Sequence, residues 1–212
     1  STVIDIYYTR PQFDIIIYGD DHVTTDLGRY YRYGKELELI PIFDENLAYE
    51  FIGIYDADDN YLGDTLSFTV TENRELYLKT QVKEELSIFK YNSSSTYLQI
   101  TGFEEGCDVE DLVIPDYVTD IGDDAFYGNE TIKTITFGEN VKNISYRSFQ
   151  NVKNLTNIYF NDKIEQIGSS AFKNEELRNV SINTFPSSLK LISQDAFYNT
   201  VLDKIEFESN SN

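Results

Sequence analysis

Hydrophobic positions divide the chain into two halves with different periods. From Val109 onward the pattern apolar-x-x-apolar-x-apolar recurs as VEDLVI, IKTITF, LTNIYF, LRNVSI and LDKIEF, starting at Val109, Ile132, Leu155, Leu177 and Leu202. The starts lie 23, 23, 22 and 25 residues apart, and a second signature, IGDDAF, ISYRSF, IGSSAF and ISQDAF, recurs between them. Self-similarity at this period predicts a solenoid, in which each repeat buries its apolar side against the next.

Each repeat can be read column by column. Triplets such as Leu155, Ile158 and Phe160 predict a short parallel strand with those residues inward. A second apolar pair follows: Val118 with Ile121, Val141 with Ile144, Ile164 with Ile167, and Leu189 with Ile192. Gly122, Ser145, Gly168 and Ser193 suit a helix N-cap, and Asp123, Asp124 and Asp195 stand where a helix dipole favours negative charge. Small residues precede Phe126, Phe149, Phe172 and Phe197, and Gly128, Asn151, Asn174 and Asn199 then suit a left-handed helix end. A turn of the solenoid is therefore expected to run strand, bend, short helical turn and return. The fourth repeat gains three residues between Ile182 and Leu189, where NTFPSS is expected to bulge as a loop. Leu202–Phe207 has no successor before the polar tail, as in the beginning of a longer array.

The first half has the period of strands. STVIDIYYTR alternates across residues 1–10 until Pro11, and FDIIIY, KELELIPIF, YEFIGIYD, LSFTV and ELYLKT follow between turn-rich connections. Leu86–Phe103 reads as a hairpin suited to cover the open end of the solenoid. The expected segments are a strand at 1–10, a small β module at 11–81, a hairpin cap at 82–108 and the solenoid at 109–212.

Composition narrows the function classes. The chain has 37 acids against 17 bases, a net charge of −20, which opposes binding to nucleic acid or to an anionic membrane. No apolar run is long enough to span a bilayer, and no signal-peptide pattern stands in these residues. The absence of methionine fits an excised piece of a longer protein. Cys107 is the only cysteine and His22 the only histidine, so internal disulfides, cysteine metal clusters and histidine-based catalytic pairs are excluded. No cofactor is expected.

Two resemblances rest on these motifs. The order F-x-I-x-x-Y, YRYG-x-x-L-x-L, Y-x-F-x-G-I-Y-D-A-D-x-N and L-S-F-T-V-x-x-N-x-x-L-Y-L, over residues 12–80, resembles the InlB B-repeat (Listeria–Bacteroides repeat) family, with Ile54 where that family usually has Trp. The resemblance implies a β-grasp-like module, with residues 1–10 as the closing strand of a preceding copy. IPDYVTDIGDDAF (114–126) and its recurrences, over about residues 83–208, resemble the BspA-like leucine-rich repeats, without the asparagine ladder of better-known leucine-rich repeats. The fold class implied is mainly β, a β-grasp-like module plus a leucine-rich solenoid with short helical turns. The role implied is non-catalytic adhesion at a bacterial cell surface, to a protein or glycan of a host or neighbouring cell. An accessory region of a large extracellular glycan-acting enzyme, or a stalk without a ligand, are the rival readings.

The candidate recognition surface is the exposed side of the parallel strands: Val113, Thr136, Tyr159, Ser181 and Glu206, flanked by Asp111, Thr134, Asn157, Asn179 and Lys204. Tyr159 is the expected anchor, because aromatic residues dominate binding energy. Ten acids and no base lie between Tyr91 and Ile132. Glu104, Glu105, Asp108, Glu110 and Asp111 are candidate calcium ligands there, against the alternative of a solubilising charged cap. Asp56-Ala-Asp58-Asp59-Asn60 copies the start of a calcium loop but lacks its glycine and final glutamate, which reads as a hairpin turn.

Overall fold

A computed structural model describes residues 10–43, 47–107, 109–176 and 178–208. The expected strand at 1–10 (Arg10 apart), Asp108, Leu177 and residues 209–212 lie outside the described residues. The chain divides into two compact units, one ending at Val82 and the other beginning at Lys83. Both are mainly sheet, and the described residues contain a single 3-10 turn, Glu84–Leu86.

The first unit contains β1 (Gln12–Tyr18), β2 (Val23–Thr24), β3 (Tyr30–Arg32), β4 (Glu36–Leu39), β5 (Ile42–Phe43), β6 (Tyr49–Tyr55), β7 (Tyr61–Gly63), β8 (Leu66–Thr69) and β9 (Arg74–Val82). Five of them form a sheet in the order β3-β1-β9-β6-β7, with β1 and β9 parallel and the other pairs antiparallel. The pairs β4–β8 and β2–β5 form two smaller sheets. Strict alternation decides which face is buried: in β4, Leu37 and Leu39 are buried while Glu36 and Glu38 are exposed. Ile15, Val23, Leu39, Ile54, Leu76 and Leu78 supply much of the core. The Asp56 segment is a hairpin turn joining β6 to β7. Asp56 Oδ1 accepts the N–H groups of Asp58 at 3.0 Å and Asn60 at 2.9 Å, and Asp59 is left-handed at φ 67°.

The second unit opens with a hairpin, β10 (Phe89–Ser93) and β11 (Leu98–Phe103). Its later strands are β12 (Asp111–Val113), β13 (Asp120–Ile121), β14 (Thr134–Thr136), β15 (Asn143–Ile144), β16 (Asn157–Tyr159), β17 (Gln166–Ile167), β18 (Arg178–Ile182), β19 (Leu191–Ile192) and β20 (Thr200–Leu202). Even-numbered strands from β12 form one parallel sheet, and β10, β11 and the odd-numbered strands form another. The hairpin also continues the array. β11 pairs in parallel with β13, Ile100 lies opposite Ile121, and both are fully buried.

The third side of each coil is not the expected helical turn. Alternate N–H groups bond locally and across coils. Ala125, Tyr127 and Asn129 donate to Gly122, Asp124 and Phe126, whereas Asp124, Phe126 and Gly128 donate to Tyr146, Ser148 and Gln150 of the next coil. The same alternation continues through Phe149 and Phe172. It requires an additional left-handed residue four positions before the expected one, and Asp124, Arg147, Ser170 and Asp195 all have φ between 53° and 58°. Gly128, Asn151 and Asn199 are left-handed as expected. Asn174 instead is buried and donates its amide to the Phe172 carbonyl at 3.2 Å. The Gly/Ser column marks close approach of coils rather than capping: a Cβ on Gly168 would fall 2.6 Å from the Ser145 carbonyl carbon.

Two phenylalanine ladders fill the interior. Phe126, Phe149, Phe172 and Phe197 stack at centroid spacings of 5.1, 5.3 and 5.2 Å. Phe137, Phe160 and Phe185 stack at 5.9 and 5.5 Å, and Phe207, exposed at the end of the array, closes the ladder at 5.2 Å. Edge-to-face contacts lock one ladder to the other: Phe137 against Phe149, Phe160 against Phe172, and Phe185 against Phe197. Phe103 extends the first ladder into the hairpin, 4.8 Å from Phe126.

The acid-rich start of the solenoid is paired with the coil that follows it. Glu110 meets Lys133 at 2.8 Å, Asp124 meets Arg147 at 2.6 Å, and Glu130 meets Lys153. Asp111 accepts from Thr134, Asp116 from the Glu139 N–H, Asp120 from Asn143 and Asp123 from the Tyr146 N–H. From Glu110 to Glu130, these seven carboxylates each answer a donor 23 residues on, three of them a base.

Truncating the central ring, Phe149→Ala, opens both ladders and is expected to cost roughly 3–5 kcal/mol in urea unfolding. Glu130 and Glu165 are held below the ordinary 4.5 of a glutamate, first by the hydrogen bonds from Lys153 and Lys190. A depressed carboxyl stabilises above its unfolded pKa and loses that contribution as pH falls through the folded value. The double variant Glu130→Gln, Glu165→Gln is therefore expected to be slightly less stable than the parent at about pH 7. The two stabilities should converge as pH falls well below 4.5, as followed by urea unfolding across pH.

Candidate binding face of the solenoid

The sheet of even-numbered strands separates core from display by alternation. Leu112, Ile135, Ile158 and Ile182 point inward and are buried. The neighbours of the first three point outward, and the register sorts them into two rows. Asp111, Thr134 and Asn157 form one; Val113, Thr136 and Tyr159 form the other. The first row is tied together internally, since Thr134 Oγ1 donates to Asp111 Oδ1 at 2.7 Å. The second is the accessible one, with Val113 63% and Tyr159 45% exposed.

The fourth coil departs from the expected columns. Ser181 lies opposite Asn157, not Tyr159, and Ile182 follows Ile158. Asn179 pairs with Val201 and shares no row with Asn157. The insertion is split in two: one residue is added between Phe172 and Ile182, and one between Ile182 and Phe185. NTFPSS therefore does not bulge outward, because Phe185 and Pro186 are buried and Phe185 takes its place on the second ladder. The sequence signal for this register was available. Phe160 to Phe185 has the same spacing as Phe172 to Phe197, whereas Leu155 to Leu177 is shorter.

Asn183 makes the added residue tolerable. Its side-chain amide accepts the Phe160 N–H at 3.0 Å and donates to the Phe160 carbonyl at 2.9 Å. One coil earlier, Phe137 donates to the Tyr159 carbonyl at 3.0 Å. The Asn183 amide thus stands in for a strand peptide. Asp203 makes a similar substitution in the last coil, where its Oδ1 accepts the Ile182 N–H at 3.1 Å. That bond also lowers the Asp203 pKa. The chain then leaves the sheet, so Lys204 and Glu206 lie beyond β20 and outside the two rows. Ile205, expected inward, is 71% exposed, and Phe207 rejoins the ladder against Phe185.

The other candidate groups are placed apart from this face or are already bonded. Glu110 and Asp111 are engaged by Lys133 and Thr134, and Glu104 and Glu105 lie at the turn after β11. Among the described residues no group of three or more His, Cys, Asp and Glu could hold a metal ion. His22 stacks on Tyr49 in the first unit, and Cys107 is a half-buried free thiol. What the strand face offers is hydroxyls, an amide and one phenol ring on a parallel sheet.

The family model described as BspA type Leucine rich repeat region matches residues 85–212 in six copies. Six accords with five period-counted strand segments plus the rung that β11 provides. Among solved structures, the chain is similar to a leucine-rich repeat protein from Bacteroides capillosus ATCC 29799. The identity is 18% and the TM-score 0.48, covering 58% of this chain and 96% of that one. No curated protein matches.

Replacing Asn183 with Ala leaves the Phe160 N–H and carbonyl, just past β16, without their Asn183 partner. The expected cost is about 1–3 kcal/mol in urea unfolding. Asn161→Ala, in the preceding coil, loses donations to the Gly138 and Val141 carbonyls and the acceptor of the exposed Lys163 N–H, and serves as the comparison.

Proposed function

We propose, from the premise that this chain belongs to the BspA-type leucine-rich repeat family, that its solenoid is a non-catalytic binding module that recognises a protein or glycan through its strand face. The observation that carries this reading is the row Val113–Thr136–Tyr159. It is held in register by parallel strands above a fully buried row, and a phenol lies at one end of it. A rigid aromatic anchor loses little conformational freedom on binding, which favours affinity. The family assignment further supports a place at a bacterial cell surface and a role in adhesion to a host or neighbouring cell. The first unit fits a spacer of the InlB B-repeat type in this reading, since its parallel β1–β9 pairing holds both ends of the module in one sheet.

The corrected register changes which residues take part. Val113, Thr136 and Tyr159 form the contact row, Thr134 and Asn157 brace it, and Asn179, Ser181, Lys204 and Glu206 lie off it. The test is a binding screen of the full chain against extracellular-matrix proteins and a glycan array, beside Tyr159→Ala and Thr136→Lys variants. Loss of a hit by roughly tenfold or more on Tyr159→Ala supports the reading, as expected of an aromatic anchor. Hits that both variants retain unchanged, or none with any of the three proteins, would remove the strand face from consideration.

A further inference from the structure

The first unit carries a second exposed aromatic surface, unrelated to the solenoid. Strand register places four tyrosines in a single row across four strands: Tyr18 opposite Tyr77, Tyr77 opposite Tyr55, and Tyr55 opposite Tyr61. Their chain neighbours Ile17, Leu76, Leu78, Ile54 and Leu62 pack into the core, so the row stands on the opposite face of the sheet. Tyr18 is 44% exposed and Tyr61 56%.

The rings are positioned by their neighbours. Tyr18 and Tyr77 stack at 4.8 Å with 17° between planes, while Tyr55 and Tyr61 meet edge to face at 5.6 Å. Tyr61 lies across Gly53, where any Cβ would collide with the ring. Gly53 also holds φ 131° beside a bulge in β6. The missing side chain lets the Tyr61 ring lie down on the sheet, leaving its other face outward. A carboxylate stands at the rim of two rings: Tyr61 donates to Asp64 at 2.8 Å and Tyr77 donates to Glu75 at 3.1 Å.

The same sheet already shows what such a pair holds. Lys79 Nζ sits 4.5 Å above the centre of the Tyr55 ring and forms an ion pair with Asp59. Arg29 lies 5.3 Å from the Tyr30 ring centre and pairs with Asp14 at 3.2 Å. In both, a cation is held by a ring and a carboxylate together. Asp64 and Glu75 form no ion pair among the described residues, so Tyr61–Asp64 and Tyr77–Glu75 each present a ring with an unneutralised carboxylate at its hydroxyl edge. They sit two strands apart, roughly 10 Å.

We infer that this tyrosine row is a docking surface for a basic protein segment, which places two lysine or arginine side chains against Tyr61–Asp64 and Tyr77–Glu75. Charge complementarity selects this occupant. The 16 acids against 6 bases within residues 1–80 favour a cationic partner and disfavour an acidic one. Tyrosine edges and hydroxyls give the contact area, and the carboxylates give the charge.

The test is calorimetric titration of the full chain with hexalysine, hexa-arginine, hexaglutamate and cellohexaose, at low and at physiological salt. The variants are Tyr61→Leu, Asp64→Asn and Glu75→Gln, with Glu36→Gln, Glu38→Gln on the outside of β4 as a control that removes charge elsewhere. The expected result is that a basic peptide binds and each site variant weakens it roughly three- to tenfold. The control should leave it unchanged, and all variants should keep the parent melting temperature within a few degrees. Equal weakening by the control would reduce the effect to net charge and overturn the proposal. Binding of cellohexaose in preference to the basic peptides, or of nothing, would overturn it as well.

Discussion

The spacing between neighbouring coils is the constraint from which the rest of the solenoid follows. Parallel strands lie about 4.8 Å apart, so every column of side chains must repeat at close to that distance. Flat rings can do this by stacking, and the Phe126-to-Phe197 ladder holds 5.1 to 5.3 Å through four coils. Branched aliphatics do it in the strand columns, from Leu112 through Ile158. Where even a methyl group is too much, the column admits glycine, as at Gly168 against Ser145. The third side meets the same spacing by sending every second N–H to the next coil. A helical turn would keep those donors within its own coil and leave the coils unbonded on that side.

The same spacing governs charge. An acid on one coil lies within reach of the residue one period later, so an acidic first coil and a more basic second coil are two halves of one pattern. Glu110, Asp124 and Glu130 with Lys133, Arg147 and Lys153 make this plain. These pairs are exposed and individually weak. Their larger effect is to match each coil to its neighbour and to disfavour a slipped stack, in which like charges would meet.

Irregularity is absorbed by side chains that imitate backbone. Asn183 and Asp203 each supply a hydrogen-bonding group where an inserted residue or a departing strand removes one. The core ladder stays continuous through both coils, and the cost falls on the display face, where the Val113–Thr136–Tyr159 row ends while Ser181 continues the other. The first unit solves a different problem with aromatics. There the tyrosines lie outside the core, in a row fixed by strand pairing, and one of them covers a glycine that could not carry a side chain.

Repetition made much of this legible from the residues alone. The period identified the solenoid, the buried columns from Val118 to Ile167, and the left-handed residues at Gly128, Asn151 and Asn199, because each recurs at one address. The expected anchor Tyr159 is exposed, and its row with Thr136 and Val113 follows from the regular coils. What the residues could not decide was wherever the partner of a group lies a full coil away. Left-handed Arg147 is the wrong type for that conformation by local preference, and inter-coil bonds impose it. Ser181 and Asn179 fell in the wrong rows because a local apolar match at Leu177 competed with the Phe160–Phe185 spacing, and only the stacked core discriminates between them. The tyrosine row of the first unit belongs to the same class. Tyr18, Tyr55, Tyr61 and Tyr77 are scattered along the chain, and strand pairing alone brings them into one line.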